Sequence, residues 1–113
     1  MTIIYKIASA ELWEAAGRAG RFDGSPIDLK DGFIHFSAGP QVAETAARYF
    51  TGQDGLVLVA VAAEKLGSAL RWEPSRNGEL FPHLYAPLEL SAVIWVKPMP
   101  VGKDGRHVLP DDL

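Results

Sequence analysis

Eight residues set reactive side chains inside apolar or aromatic stretches: Lys6, His35, Ser37, Arg71, Glu73, Glu79, His83 and Tyr85. Burying an ionisable group is costly unless it is paired, so each needs a partner or a purpose. His35 sits in the run Phe33-Ile34-His35-Phe36, followed by Ser37. Strand side chains alternate, so Phe33, His35 and Ser37 share one face, while Ile34 and Phe36 share the other. If Ile34 and Phe36 point into the main core, His35 and Ser37 face a second surface together, suited to a cleft. The plain alternative is a histidine hydrogen-bonded within a second layer.

Two further stretches carry matching chemistry. In "LRWE" alternation puts Arg71 and Glu73 on one face. They read either as a solvated surface ion pair of little weight or as an anion and ribose clamp. A guanidinium offers a planar fork to phosphate, and a carboxylate accepts from sugar hydroxyls. "ELFPHLYAP" brings Glu79, His83 and Tyr85 together with two prolines. Proline lowers the entropy lost in holding side chains in place, which suits a ligand wall. The alternative is a packed edge segment whose polar groups bond the backbone.

Other chemistries lack their motifs. No G-x-G-x-x-G follows a strand and no G-x-x-x-x-G-K-[ST] occurs, so a Rossmann or P-loop site is not expected. The absence of cysteine removes disulfides, thiolate zinc sites and thiol nucleophiles. Ser37 lacks a G-x-S-x-G elbow. His35, His83 and His107 lie far apart without H-x-x-x-H spacing. A metal site would have to combine His35, His83 and a carboxylate, and none is assigned.

These residues need elements to position them, and the 113-residue chain supplies one domain, 1–113, by length. "TIIYKI" reads as a first strand. Ser9 caps a helix through "AELWEAAGRAG" that stops at Gly17 or Gly20. Arg21 to Lys30 reads as an irregular loop around Gly24-Ser25-Pro26. "GFIHFS" is the second strand, and Gly39-Pro40 opens a second helix with Val42, Ala46, Tyr49 and Phe50 on one face. "LVLVAV" (56–61) predicts a central strand covered on both faces. A helical turn at 63–66 leads to the strand "LRWE". "LFPHLYAP", with its two prolines, predicts an edge segment or ordered loop. "AVIWV" (92–96) is the last strand. From about residue 98 a loosely ordered, extended tail is expected. Helices early and strands late imply an α+β domain around a strongly bent or split mixed sheet with two main helices. The net charge is −3 with no run of like charges, so no nucleic-acid partner is expected. Met1 to Ile7 does not read as a secretory signal. No apolar run approaches the ~20 residues that span a bilayer, so no membrane partner is expected and the default compartment is the cytoplasm. Trp13, Trp72 and Trp95 serve a core or an oligomer interface equally well.

The segments "IYKI", "GRFDGSPIDLKDGFIHFSAGPQVAETAARYF", "LRWEPSRNGELFPHLYAPLELSAVIWVKPMP" and "DGRHV" resemble the bacterial domain-of-unknown-function family 952 over nearly the whole chain, with "DGFIHFS" and "FPHLY" the most specific marks. More distantly, that family resembles the ADP-ribosyltransferase-like fold group. The resemblance implies a first strand placing Lys6 where the group carries His or Arg. It also implies a second strand and helix placing His35, Ser37 and Tyr49 near a nicotinamide pocket, with Glu73 or Glu79 in the glutamate role. The functional expectation is therefore a small-ligand domain with His35, Glu73 and Glu79 as catalytic candidates. Lys6, Ser37, Tyr49, Arg71, His83 and Tyr85 would contact ligand. No cofactor is required, and NAD is the implied substrate of an ADP-ribosyl transferase or NAD glycohydrolase. The alternatives are a non-catalytic module for a small molecule or peptide, and a metal-dependent hydrolase on His35 and His83.

Overall fold

The computed structural model describes all residues 1–113. Its framework is a four-stranded antiparallel sheet built on the most apolar segments. Strand β1 (Ile3–Ser9) lies between β4 (Ser37–Ala38) and β5 (Leu56–Ala62), and β5 is bordered by β9 (Val93–Pro98). β1 and β5 pair along seven residues, from Ile3 opposite Ala62 to Ser9 opposite Leu56. Every residue of β5 except Val57 is buried, as a strand covered on both faces requires. One face packs Ile4, Ala8, Val59 and Val61 against Ala16, Phe22, Ile34, Phe36 and Leu84. The other packs Tyr5, Ile7, Leu56 and Leu58 against Val42, Ala46 and Met99.

Helix α1 (Ala10–Ala19) begins at Ser9, whose side chain accepts from Leu12 N. It ends at Gly20, held left-handed at φ 87°. The segment 21–30, expected to be an irregular loop, instead contains β2 (Arg21–Phe22) and a third helix, α2 (Pro26–Asp31). The reason is local. Pro26 suits the first helical position, and Asp28 returns a carboxylate oxygen to the Ser25 N–H at 2.8 Å, in the manner of a capping box. At Gly39–Gln41 the chain makes a 3-10 turn before α3 (Val42–Tyr49).

A second, three-stranded sheet runs β3 (Ile34–His35), β7 (Leu80–Leu84), β6 (Leu70–Pro74). β2 pairs separately with β8 (Leu88–Glu89). The sheet is thus split, and every strand pair is antiparallel rather than mixed. The proline-bearing β7 is a central strand, not an edge or loop. The register explains why it is tolerated. His35 pairs with His83, so Pro82 falls opposite Phe36, the residue at which β3 gives way to β4. The missing proline N–H therefore meets a natural break, while the Pro82 carbonyl still accepts from Phe36 N at 3.0 Å. The segment from residue 98, expected to be an extended tail, turns back on itself so that Val101 bridges His107, and it is packed: Met99 is fully buried, and Leu109 and Leu113 cover the second core.

The result is a small α+β domain. No helix is long and apolar enough to cross a membrane.

Candidate functional site

The switch of one chain segment from the second sheet to the first creates the site. β3 pairs with β7, β4 pairs with β1, and Phe36 is the hinge between them. Ile34 and Phe36 are core residues, each 3% exposed. His35 and Ser37 both line a cavity of about 540 Å³. Lys6, Tyr49 and His83 line it too, so five of the nine sequence-predicted residues share one space.

The other four lie outside the lining. Glu73 and Tyr85 stand behind His83: both the His83 Nδ1 (2.8 Å) and the Tyr85 hydroxyl (2.7 Å) meet Glu73 Oε1. Arg71 stacks on the outer face of Tyr85, its guanidinium carbon 5.1 Å from the ring centre. It forms no clamp with Glu73 across the cavity. Glu79 is exposed, 3.5 Å from Gln41 Nε2.

The residue that organises the cavity floor is Asp28, which carried no marker of a reactive site in the sequence. Its side chain is 1% exposed. One carboxylate oxygen receives Lys6 Nζ (3.0 Å), the His35 backbone N–H (3.1 Å) and His35 Nδ1 (2.6 Å). The other lies 2.8 Å from Lys6 Nζ and 2.8 Å from Ser25 N. Burial alone would raise the Asp28 carboxyl. The His35 hydrogen bond, then the Lys6 charge and hydrogen bond and the Ser25 N–H, outweigh it and hold the group at about 2. Burial lowers the Lys6 ammonium, opposed by Asp28. The one available signal for Asp28 was the Ser25-x-x-Asp28 spacing of a helix cap.

His35 has a carboxylate near each ring nitrogen, and only the Nδ1 contact with Asp28 has hydrogen-bond geometry. Its Nε2 lies 2.9 Å from Asp31 Oδ2, a residue on the cavity wall that sequence reasoning also missed. Phe33 packs beside it, with ring centres 4.6 Å from His35, 4.2 Å from His83 and 5.2 Å from Tyr85. The two histidine rings meet edge-to-face at 5.6 Å. Phe33 thus fixes the spacing of the two histidines.

Elsewhere on the cavity wall, Arg76 supplies a cation that sequence reading overlooked. Its side chain is 7% exposed and its guanidinium lies over Phe81 (4.9 Å) and Tyr49 (5.9 Å). Nη2 donates to Thr45 Oγ1 at 3.3 Å, and Thr45 also contacts Ser37 Oγ at 3.2 Å. Nε lies 3.5 Å from Glu44 Oε1 without hydrogen-bond alignment. It is the one buried side-chain polar atom without a partner. Glu44 is also engaged by Arg48 at 3.2 Å. No group of three or more His, Asp or Glu assembles in a metal-holding arrangement.

Fold and site together define a small α+β domain with a histidine- and carboxylate-walled cavity between two antiparallel sheets. The chain belongs to the family described as "Protein of unknown function (DUF952)", whose sequence model matches residues 7–96. It is similar to protein CC0527 of Caulobacter crescentus. The crystal structure of that protein is 55% identical, with a TM-score of 0.92 over 96% of this chain and 95% of that one. Its solution NMR structure gives a TM-score of 0.88 over 100% and 97%, also at 55% identity. No curated protein matches the chain.

Proposed function

We propose that the cavity binds a small phosphate-bearing ligand of the NAD or ADP-ribose type, in a distant variant of the ADP-ribosyltransferase-like fold. One observation carries the reading: Arg76 is a nearly buried guanidinium on the cavity wall, stacked over Phe81 and Tyr49. A buried charge needs a counter-charge, and a guanidinium is suited to the oxygens of a phosphate. Ser37, Thr45 and Ser75 add hydroxyls to the lining, and Tyr49 and Phe81 add rings. A volume of about 540 Å³ falls in the range of small-molecule sites. The order of parts supports the fold reading: Lys6 comes from β1, His35 and Ser37 from the successive strands β3 and β4, and Tyr49 from helix α3 that follows.

A second reading, binding without turnover, is favoured by the carboxylates. Neither Glu73 nor Glu79 lines the cavity, and the Asp31 that does is engaged by His35. The metal-dependent hydrolase has less support, because His35 Nδ1 and His83 Nδ1 are already hydrogen-bonded to carboxylates and no group of three potential ligands assembles.

Calorimetric titration with ADP-ribose, NAD and inorganic pyrophosphate tests the binding. ADP-ribose is expected to bind, and Arg76→Gln to weaken it about tenfold or more, the worth of one charge-assisted hydrogen bond. No heat at millimolar ADP-ribose and NAD would sink the proposal. Release of nicotinamide from bound NAD separates turnover from binding alone.

A further inference from the structure

The two histidines are not chemically equivalent, and the geometry points to His83 as the proton-accepting group of the cavity, with Glu73 as its positioning residue. This assignment rests on the reading that the cavity holds a ligand.

The Tyr85 hydroxyl, first, and the His83 ring hold the Glu73 carboxyl below its ordinary value, so Glu73 is ionised. An ionised carboxylate only accepts, so the His83 nitrogen facing it must donate. That places the proton of the neutral ring on Nδ1 and leaves the Nε2 lone pair free. No protein group bonds His83 Nε2, and although the side chain is only 6% exposed, Nε2 is not among the fully sealed, unpartnered atoms. His83 lines the cavity. The Tyr85 bond to the same Glu73 oxygen fixes the carboxylate. Stacking on Phe33 at an interplanar angle of 26° fixes the ring.

His35 differs at Nε2. It has a carboxylate on both sides, Asp28 on Nδ1 and Asp31 on Nε2. Nδ1 faces the ionised Asp28 and donates to it, and Nε2 is faced by the Asp31 carboxylate rather than opening to a ligand. Lys6 reinforces this by holding Asp28 ionised. His35 is therefore a fixed donor in the floor. His83 is the base: a water or ligand hydroxyl gives its proton to Nε2, the O–H bonding pair stays on oxygen, and that oxygen becomes the nucleophile.

The test uses the full-length protein without ligand, by nitrogen-15 NMR of the imidazole rings and by diethyl pyrocarbonate acylation followed by peptide mass analysis. Wild type is expected to show neutral His83 protonated on Nδ1, and to be acylated at His83 several-fold faster than at His35. Glu73→Ala is expected to move the His83 proton to Nε2 and slow its acylation several-fold. Tyr85→Phe, which keeps the carboxylate, preserves the tautomer and guards against a Glu73 variant that fails to fold. A His83 protonated on Nε2 in wild type, faster acylation of His35, or a Tyr85→Phe variant that loses the tautomer would each overturn the assignment. ADP-ribose is expected to protect His83 from acylation. Calorimetric binding without protection overturns the assignment as well, whereas absence of binding counts against the ligand reading alone, since the free-protein measurements still decide His83.

Discussion

Asp28 shows how a single buried charge can be both affordable and indispensable. Its two oxygens meet four donors, two from Lys6 and His35 side chains and two from backbone N–H groups. Removing the carboxylate strands the buried Lys6, so Asp28→Ala is expected to cost about 3–5 kcal/mol, the usual loss when one partner of a buried pair is deleted. Lys6→Met leaves Asp28 with its other donors and is expected to cost less. Urea unfolding of both variants checks the ranking, and the reverse order would contradict it. The pH dependence follows from the depressed carboxyl. A group held at about 2 against an ordinary 3.8 contributes stability above the ordinary value and loses it as pH falls toward 2. The loss is on the order of 2 kcal/mol. Unfolding midpoints are expected to drop between about pH 5 and pH 2, with a shallower slope in Asp28→Asn.

At the scale of elements, short-range signals were legible where they were unambiguous. Ser9 and Gly20 bound α1 as their types predict, and the apolar run Leu56–Val61 became the buried β5. Misreadings arose where a local rule met a tertiary exception. Pro26 looked like loop punctuation but starts α2. Pro82 looked like an edge marker but sits opposite the β3–β4 break. Gly24 lies at the join that sets α2 against the site, with φ 123° and its hypothetical Cβ only 2.9 Å from Asp28 Cβ. Gly24→Ala is therefore expected to lose on the order of 1–3 kcal/mol for backbone strain, with an added steric push on Asp28. Gly32→Ala, at φ 87° in open space, carries only the left-handed backbone penalty of about 1 kcal/mol. Thermal unfolding should rank Gly24→Ala below Gly32→Ala; equal midpoints would remove the claim of a tight join.

At the scale of the molecule, the four-stranded sheet is sandwiched between two cores. The C-terminal segment contributes to the second through Met99, Leu109 and Leu113. Sequence reading took this segment for a loose tail, because prolines and charges obscure three apolar residues with no regular period. Met99 is completely buried, so Met99→Ala is expected to cost about 2–5 kcal/mol, as for other large-to-small core changes. Leu109→Ala, at a partly buried site, is expected to cost less. Denaturant midpoints decide both, and a neutral Met99→Ala would mean that the segment does not hold the fold.

What the sequence determined was set by neighbours along the chain. These were the helix caps, the doubly covered strand, the α+β order, the family, and the alternation that sends His35 and Ser37 away from Ile34 and Phe36. What the tertiary structure decided depended on contacts between distant segments. It brought His83 to within 5.6 Å of His35 through the β3–β7 pairing. It kept Arg71 and Glu79 out of the cavity and put Arg76 into its wall. It also gave His35 two carboxylates and His83 one. Alternation fixes which face a side chain takes, but only the pairing of strands far apart in sequence fixes what that face meets.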